Sequence, residues 1–190
     1  MQIGCMHKEL SLSTARNYVY DCPISTTYLS ITNNETWDFD IKVYRDIVIE
    51  PNNTLIIQCN VLMQSFSKIK IKPGAKLIID GGIVTNGCDN GLWQGIELWG
   101  NTNQNQVPVN GIYQQGIVQI INGGTIENAV CGIVTAAFDA SNGKEILGMH
   151  GGIILADNAV FKNCRTAVDF REYHNMLNGN EIANFSYFNL

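Results

Sequence analysis

Short runs of alternating apolar and polar residues recur along the chain, each broken by Asn, Gly, Asp or Pro. Lys68-Ile69-Lys70-Ile71 is the clearest: a period of two puts the isoleucines on one face of a strand and the lysines on the other. The stretch Asp46–Ile57 matches Lys68–Ile79 at a shift of 22 residues, each copy reading strand, Pro-containing turn, strand. A second frame, a polar residue, two small or polar residues, a short apolar strand and an amide, recurs at Asp80–Asn86, Asn122–Asn128 and Asp157–Asn163, with a fainter copy at Gln58–Gln64. Repeats of this length imply stacked units, each burying its apolar face against the next. Three strands of about 3.3 Å per residue, with a turn after each, use roughly 22 residues and return the chain to its starting point. The next unit then stacks about 4.8 Å further along, paired in parallel. The pattern predicts an all-β, right-handed parallel β-helix of about four to five coils over residues 46–190, preceded by an N-terminal cap over 1–45.

The second half keeps the frame and lengthens its connections. Ile133 follows Asn128 by five residues and Val168 follows Asn163 by five, whereas Ile96 follows Asn86 by ten. A five-residue insertion therefore precedes Ile96. Polar segments at 101–115, 137–150 and 172–183 read as loops leaving the stacked strands.

Composition supports this picture. Charged residues are 15% of the 190, below the usual quarter, while 22 Asn and 18 Gly supply turns and 24 Ile supply strands. The net charge of -5 and the lack of any Lys/Arg cluster argue against nucleic acid as a partner. No apolar run is long enough to span a membrane. Met1 opens no basic-then-apolar leader, yet the Asn-rich, charge-poor surface suits a secreted or cell-surface protein whose leader is not in this sequence. Of six cysteines, Cys5 and Cys22 form a local disulfide or stay free, and Cys59, Cys88, Cys131 and Cys164 fall in apolar strands. Cys5, His7 and Cys22 lack a fourth ligand, so neither a metal nor another cofactor is expected.

Pro73-Gly74-Ala75-Lys76-Leu77-Ile78-Ile79-Asp80-Gly81-Gly82, Trp93-Gln94-Gly95-Ile96-Glu97-Leu98-Trp99-Gly100 and Gly123-Gly124-Thr125-Ile126-Glu127-Asn128 resemble the pectin-lyase-like superfamily, above all repeat domains of large secreted bacterial surface proteins. The resemblance covers residues 46–188 and implies the β-helix fold. That fold hosts lyases, hydrolases, adhesins and spacers alike. The catalytic motifs of the family's enzymes are missing: no Asn-Thr-Asp, Asp-Asp or Gly-His-Gly set, no Trp-x-Asp-His or Arg-x-Pro-x-x-Arg, and no Gly-Arg-Pro-Trp.

Asn86, Asn128 and Asn163 share one repeat position, which implies a stacked asparagine ladder or three turn residues. Trp93 and Trp99 offer flat faces that could stack on a sugar ring. With Ile96, Ile133 and Val168 inward, Glu97 and Asp169 fall in one outward column two rungs apart, about 9.6 Å, near the carboxylate spacing of inverting glycosidases. On an open sheet face nothing would raise the pKa of either acid, so they remain weak catalytic candidates. Arg171, in the same column as Trp99, could hold an acidic sugar. His150 and His174 read as loop histidines without a catalytic partner. The function expected is therefore a non-catalytic extracellular domain that displays loops or binds oligosaccharide weakly. A divergent polysaccharide lyase or hydrolase, and a spacer or interaction module with end-to-end self-association or a continuing chain, are the alternatives.

Overall fold

The computed structural model describes residues 27–87 and 91–189. Among them there are strands and turns and no helix, as the Ile, Asn and Gly content requires. Strands are numbered in chain order and fall into three long parallel sheets. The first holds β1 (Tyr28–Ile31), β4 (Asp46–Ile49), β7 (Lys68–Ile71), β10 (Trp93–Leu98), β13 (Ala129–Val134) and β16 (Thr166–Asp169). The second holds β2 (Glu35–Trp37), β5 (Thr54–Ile57), β8 (Lys76–Asp80), β11 (Ile117–Ile121), β14 (Ile153–Asp157) and β19 (Tyr187–Asn189). The third holds β3 (Ile41–Val43), β6 (Asn60–Met63), β9 (Ile83–Asn86), β12 (Thr125–Glu127) and β15 (Val160–Lys162). A small antiparallel hairpin, β17 (Met176–Leu177) and β18 (Asn180–Glu181), stands apart. The chain visits the three sheets in turn, an order compatible with a parallel β-helix.

The 22-residue repeat is a pairing register: Ile47 lies beside Ile69, and Leu55 beside Leu77. Ile83, Thr125 and Val160 are lateral neighbours, as the repeat frame predicts. Interior columns follow, with Ile47, Ile69, Ile96 and Ile133 in the first sheet and Leu55, Leu77, Val118 and Ile154 in the second, all fully buried. Each such side chain contributes about 1.5–3 kcal/mol, against about 0–1 for an exposed ion pair, so the interior columns hold the sheets together.

Two readings change. Residues 28–45, expected as part of the cap, carry strands of the same three sheets. β1, β2 and β3 pair in register with β4, β5 and β6, and Trp37 is buried among the core residues. Their connections are shorter, 18 residues from Tyr28 to its partner Asp46, which hid them from a 22-residue comparison. The rest of the expected cap, with Cys5, His7 and Cys22, lies outside the described residues, as does Cys88.

The second change concerns the ladder. Asn128 and Asn163 take left-handed backbone (φ 56° and 53°), the conformation Asn tolerates in turns. The Asn128 amide donates to Thr85 Oγ1 at 2.9 Å, and Asn163 is exposed. A side-chain ladder forms instead at the opening position of the frame. Gln58 Nε2 and Asn122 Nδ2 both donate to the Asp80 carboxylate (2.9 and 2.6 Å), and Asn189 Nδ2 donates to Asp157 (2.8 Å). The two amides, Asn122 foremost, hold the Asp80 carboxyl below the usual range.

Cys59, Cys131 and Cys164 are free thiols, Cys59 buried and the other two half-buried. Burial, then Asp169 and Cys164, pushes the Cys131 thiol up to about 11, and burial, then Asp40 and Asp38, does the same for Cys59. Only the thiolate reacts, so at pH 8 both should alkylate roughly a hundredfold more slowly in the native than in the denatured chain. Equal rates, followed by peptide mass spectrometry, would refute this.

Candidate functional site

The outer face of the first sheet is built by β4, β7 and β10. Asp46 meets Lys70 at 2.9 Å, Glu50 meets Lys72 at 2.7 Å and Glu97 meets Lys68 at 2.6 Å, each pair joining neighbouring strands. Glu97 is in the expected column, with Val134 and Asp169 beside it in register. Its surroundings differ from the open, watery face expected: the residue is 4% exposed, and Trp99 Nε1 donates to its second oxygen at 3.1 Å. The Lys68 ammonium and the indole N–H together satisfy the buried carboxylate.

Trp93 is not on this face. It is fully buried, with Nε1 donating to the Glu127 carbonyl at 2.9 Å, so no sugar can reach its ring. The cause is a bulge. Strict alternation from the inward Ile96 would turn Trp93 outward with Glu97, but the register shifts between Gly95 and Ile96 and reverses the parity. Gly95 in the middle of a strand pattern was the available signal.

Asp169 and Arg171 are half-buried at the other end of the column. The Arg171 guanidinium lies 3.1 Å from Asp169 and 3.4 Å from Glu145. Two carboxylates of its own chain therefore already stand beside the cation expected to meet an acidic sugar. His150 is mostly buried: Nε2 approaches Glu145 Oε1 at 2.7 Å without hydrogen-bond alignment, and Nδ1 faces the Glu172 carbonyl at 3.2 Å. His174 stays exposed between Glu181 (3.0 Å) and Glu172 (3.3 Å), and the hydrogen bond it donates to the Glu181 carboxylate raises its pKa.

The three loops share one corner. Connections from the first sheet to the second are three or four residues long after β1, β4 and β7, and become 99–116, 135–152 and 170–186 after β10, β13 and β16. Buried side-chain amides tie them together. Gln106, fully buried, donates to the Gly151 carbonyl (2.9 Å) and accepts from the Phe185 N–H (2.7 Å), while its own N–H donates to Asn175 (2.9 Å). Gln115, also fully buried, bonds the backbone of Asn101 and Gln104, and the Tyr173 hydroxyl donates to the Gln104 carbonyl. Asn175 donates to the Ala183 carbonyl at 2.7 Å. Sequence reasoning located the loops but not these amides, since among so many Asn and Gln residues nothing marks the buried ones.

The site is therefore a hydrogen-bonded loop layer beside a half-buried Trp99 and a face of paired charges. Among the described residues no group of three or more His, Cys, Asp and Glu could hold a metal ion, and no helix is long and apolar enough to cross a membrane. No family model, no curated protein and no solved structure matches this chain.

Proposed function

We propose that the chain is a right-handed parallel β-helix domain of the pectin-lyase-like kind, secreted or held at a cell surface, that displays its loop layer as a non-catalytic surface for weak oligosaccharide binding. Sheets of six, six and five parallel strands then correspond to five circuits and two strands of a sixth. The observation that carries the reading is the loop layer. Three long connections converge on one corner and are fixed by buried amides, the pre-organisation a recognition surface needs. The chemistry of the candidate acids supports a binding role over catalysis. Glu97 is paired with Lys68, and Asp169 with Arg171, so each carboxylate already holds a cation of its own chain. Because Arg171 is already doubly engaged, the ligand class that fits is a neutral sugar, stacked on Trp99 and bonded by exposed loop amides.

A glycan-array screen, with and without calcium, tests this. Neutral oligosaccharides are expected to be retained, with retention falling in Trp99→Ala and unchanged by calcium. Release of reducing ends or unsaturated products from any polysaccharide, lost in Glu97→Gln or Asp169→Asn, would instead establish the enzyme.

A further inference from the structure

The first sheet ends at β16, which among the described residues has β13 on one side and no strand on the other. The Arg165 N–H donates to the Ala129 carbonyl, and the Asp169 carbonyl accepts from Thr135 N–H, both at 3.0 Å. In a parallel pair the N–H and C=O of one residue point the same way, and neighbours alternate. Arg165, Ala167 and Asp169 therefore turn their backbone groups toward β13, and Thr166 and Val168 turn theirs outward. Thr166 and Ala167 are exposed, and Arg165 makes no ion pair with any described residue. An edge of this kind is a template for another strand.

Its sequence indicates which strand. Arg165-Thr166-Ala167-Val168-Asp169 carries a cation at one end, an anion at the other and small or apolar residues between. Turned over and centred on Ala167, it is its own complement. Ala167 then faces its copy, Thr166 and Val168 of the two chains exchange hydrogen bonds through their outward groups, and each Arg165 stands opposite the partner copy's Asp169, whose Oδ2 holds Arg171 of its own chain and whose Oδ1 meets the incoming guanidinium. The charged pairs fall at the non-hydrogen-bonded positions, where cross-strand side chains come closest. Among the described residues the other five edge strands of these sheets, Val160–Lys162 and Tyr187–Asn189 at the same end and Tyr28–Ile31, Glu35–Trp37 and Ile41–Val43 at the opposite end, have no such opposed charges. We propose that β16 is a self-association edge, which joins two copies of this chain through an antiparallel β16–β16 pair into a closed two-fold dimer. The inference does not depend on sugar binding.

Sedimentation equilibrium of the purified 190-residue chain, from micromolar to near-millimolar, tests it. A monomer–dimer equilibrium is expected. Arg165→Asp and Asp169→Arg should each weaken it at least about tenfold, since each replaces two attractive pairs with two repulsive ones. The double variant Arg165→Asp/Asp169→Arg should recover most of the loss. Far-UV circular dichroism checks that each variant is folded. Hydrogen exchange at Thr166 and Val168 should slow with concentration. A monomer throughout, open-ended polymers, or a dimer that the double variant does not restore, overturns the proposal.

Discussion

Gly95→Ala is expected to destabilise the protein by more than about 4 kcal/mol, the range reserved for severe backbone and packing conflicts. A β-carbon at this position would lie 1.5 Å from the Cys131 carbonyl oxygen, and the residue holds φ at +98°, which L side chains rarely adopt. The obstacle is backbone of the neighbouring strand, so no side chain can move aside. Relief requires β10 and β13 to separate at the bulge, which would draw Trp93 out of the core. Urea unfolding of the wild type and the variant measures the effect, and a loss under about 1 kcal/mol would contradict this account of the bulge. Fluorescence of Trp93, read with Trp37 and Trp99 replaced by Phe in both proteins, reports the local event, with a red shift expected in the variant.

Lys68→Met should cost about 3–5 kcal/mol, because it leaves the Glu97 carboxylate buried without its cation. The side chains of Lys68 and Glu97 are 23% and 6% exposed, so water screens the pair little. Glu97→Gln should cost less, about 1 kcal/mol, since the partly exposed ammonium can turn to solvent. Lys68→Met/Glu97→Leu should regain most of the loss, as apolar pairs of similar volume commonly do. A thermodynamic cycle over the four proteins gives the coupling. If Lys68→Met and the double variant were equally destabilised, Glu97 would not be held by Lys68.

Alternation and repeat length made the sheets legible in the sequence. Lys68–Ile71 reads correctly because each isoleucine is inside and each lysine outside, and the Ile83, Thr125 and Val160 alignment survives as pairing. Face assignment failed where parity was interrupted, as at Trp93, because a one-residue bulge exchanges inside for outside without changing composition. The exposure of Glu97 was misjudged because its cover comes from Lys68, 29 residues earlier, and from the Trp99 indole, and alternation carries no information about either. The loop layer was visible as polar insertions. Its organisation was not, because Gln106 finds its partners 45 to 79 residues away.

Those separations bear on the order in which the molecule can assemble. Within the three parallel sheets every strand meets its partner between 18 residues away (Tyr28 and Asp46) and 42 (Ile83 and Thr125). A chain emerging from the ribosome can thus lay each circuit onto the last as soon as it appears. Gln106 cannot follow that schedule. Its side chain accepts from the Phe185 N–H, 79 residues downstream, so that bond cannot form until Phe185 has been made. The strands can be laid down in sequence, whereas the loop corner closes only when Phe185 arrives, so residues 99–116 should become protease-resistant during synthesis later than the strands that flank them.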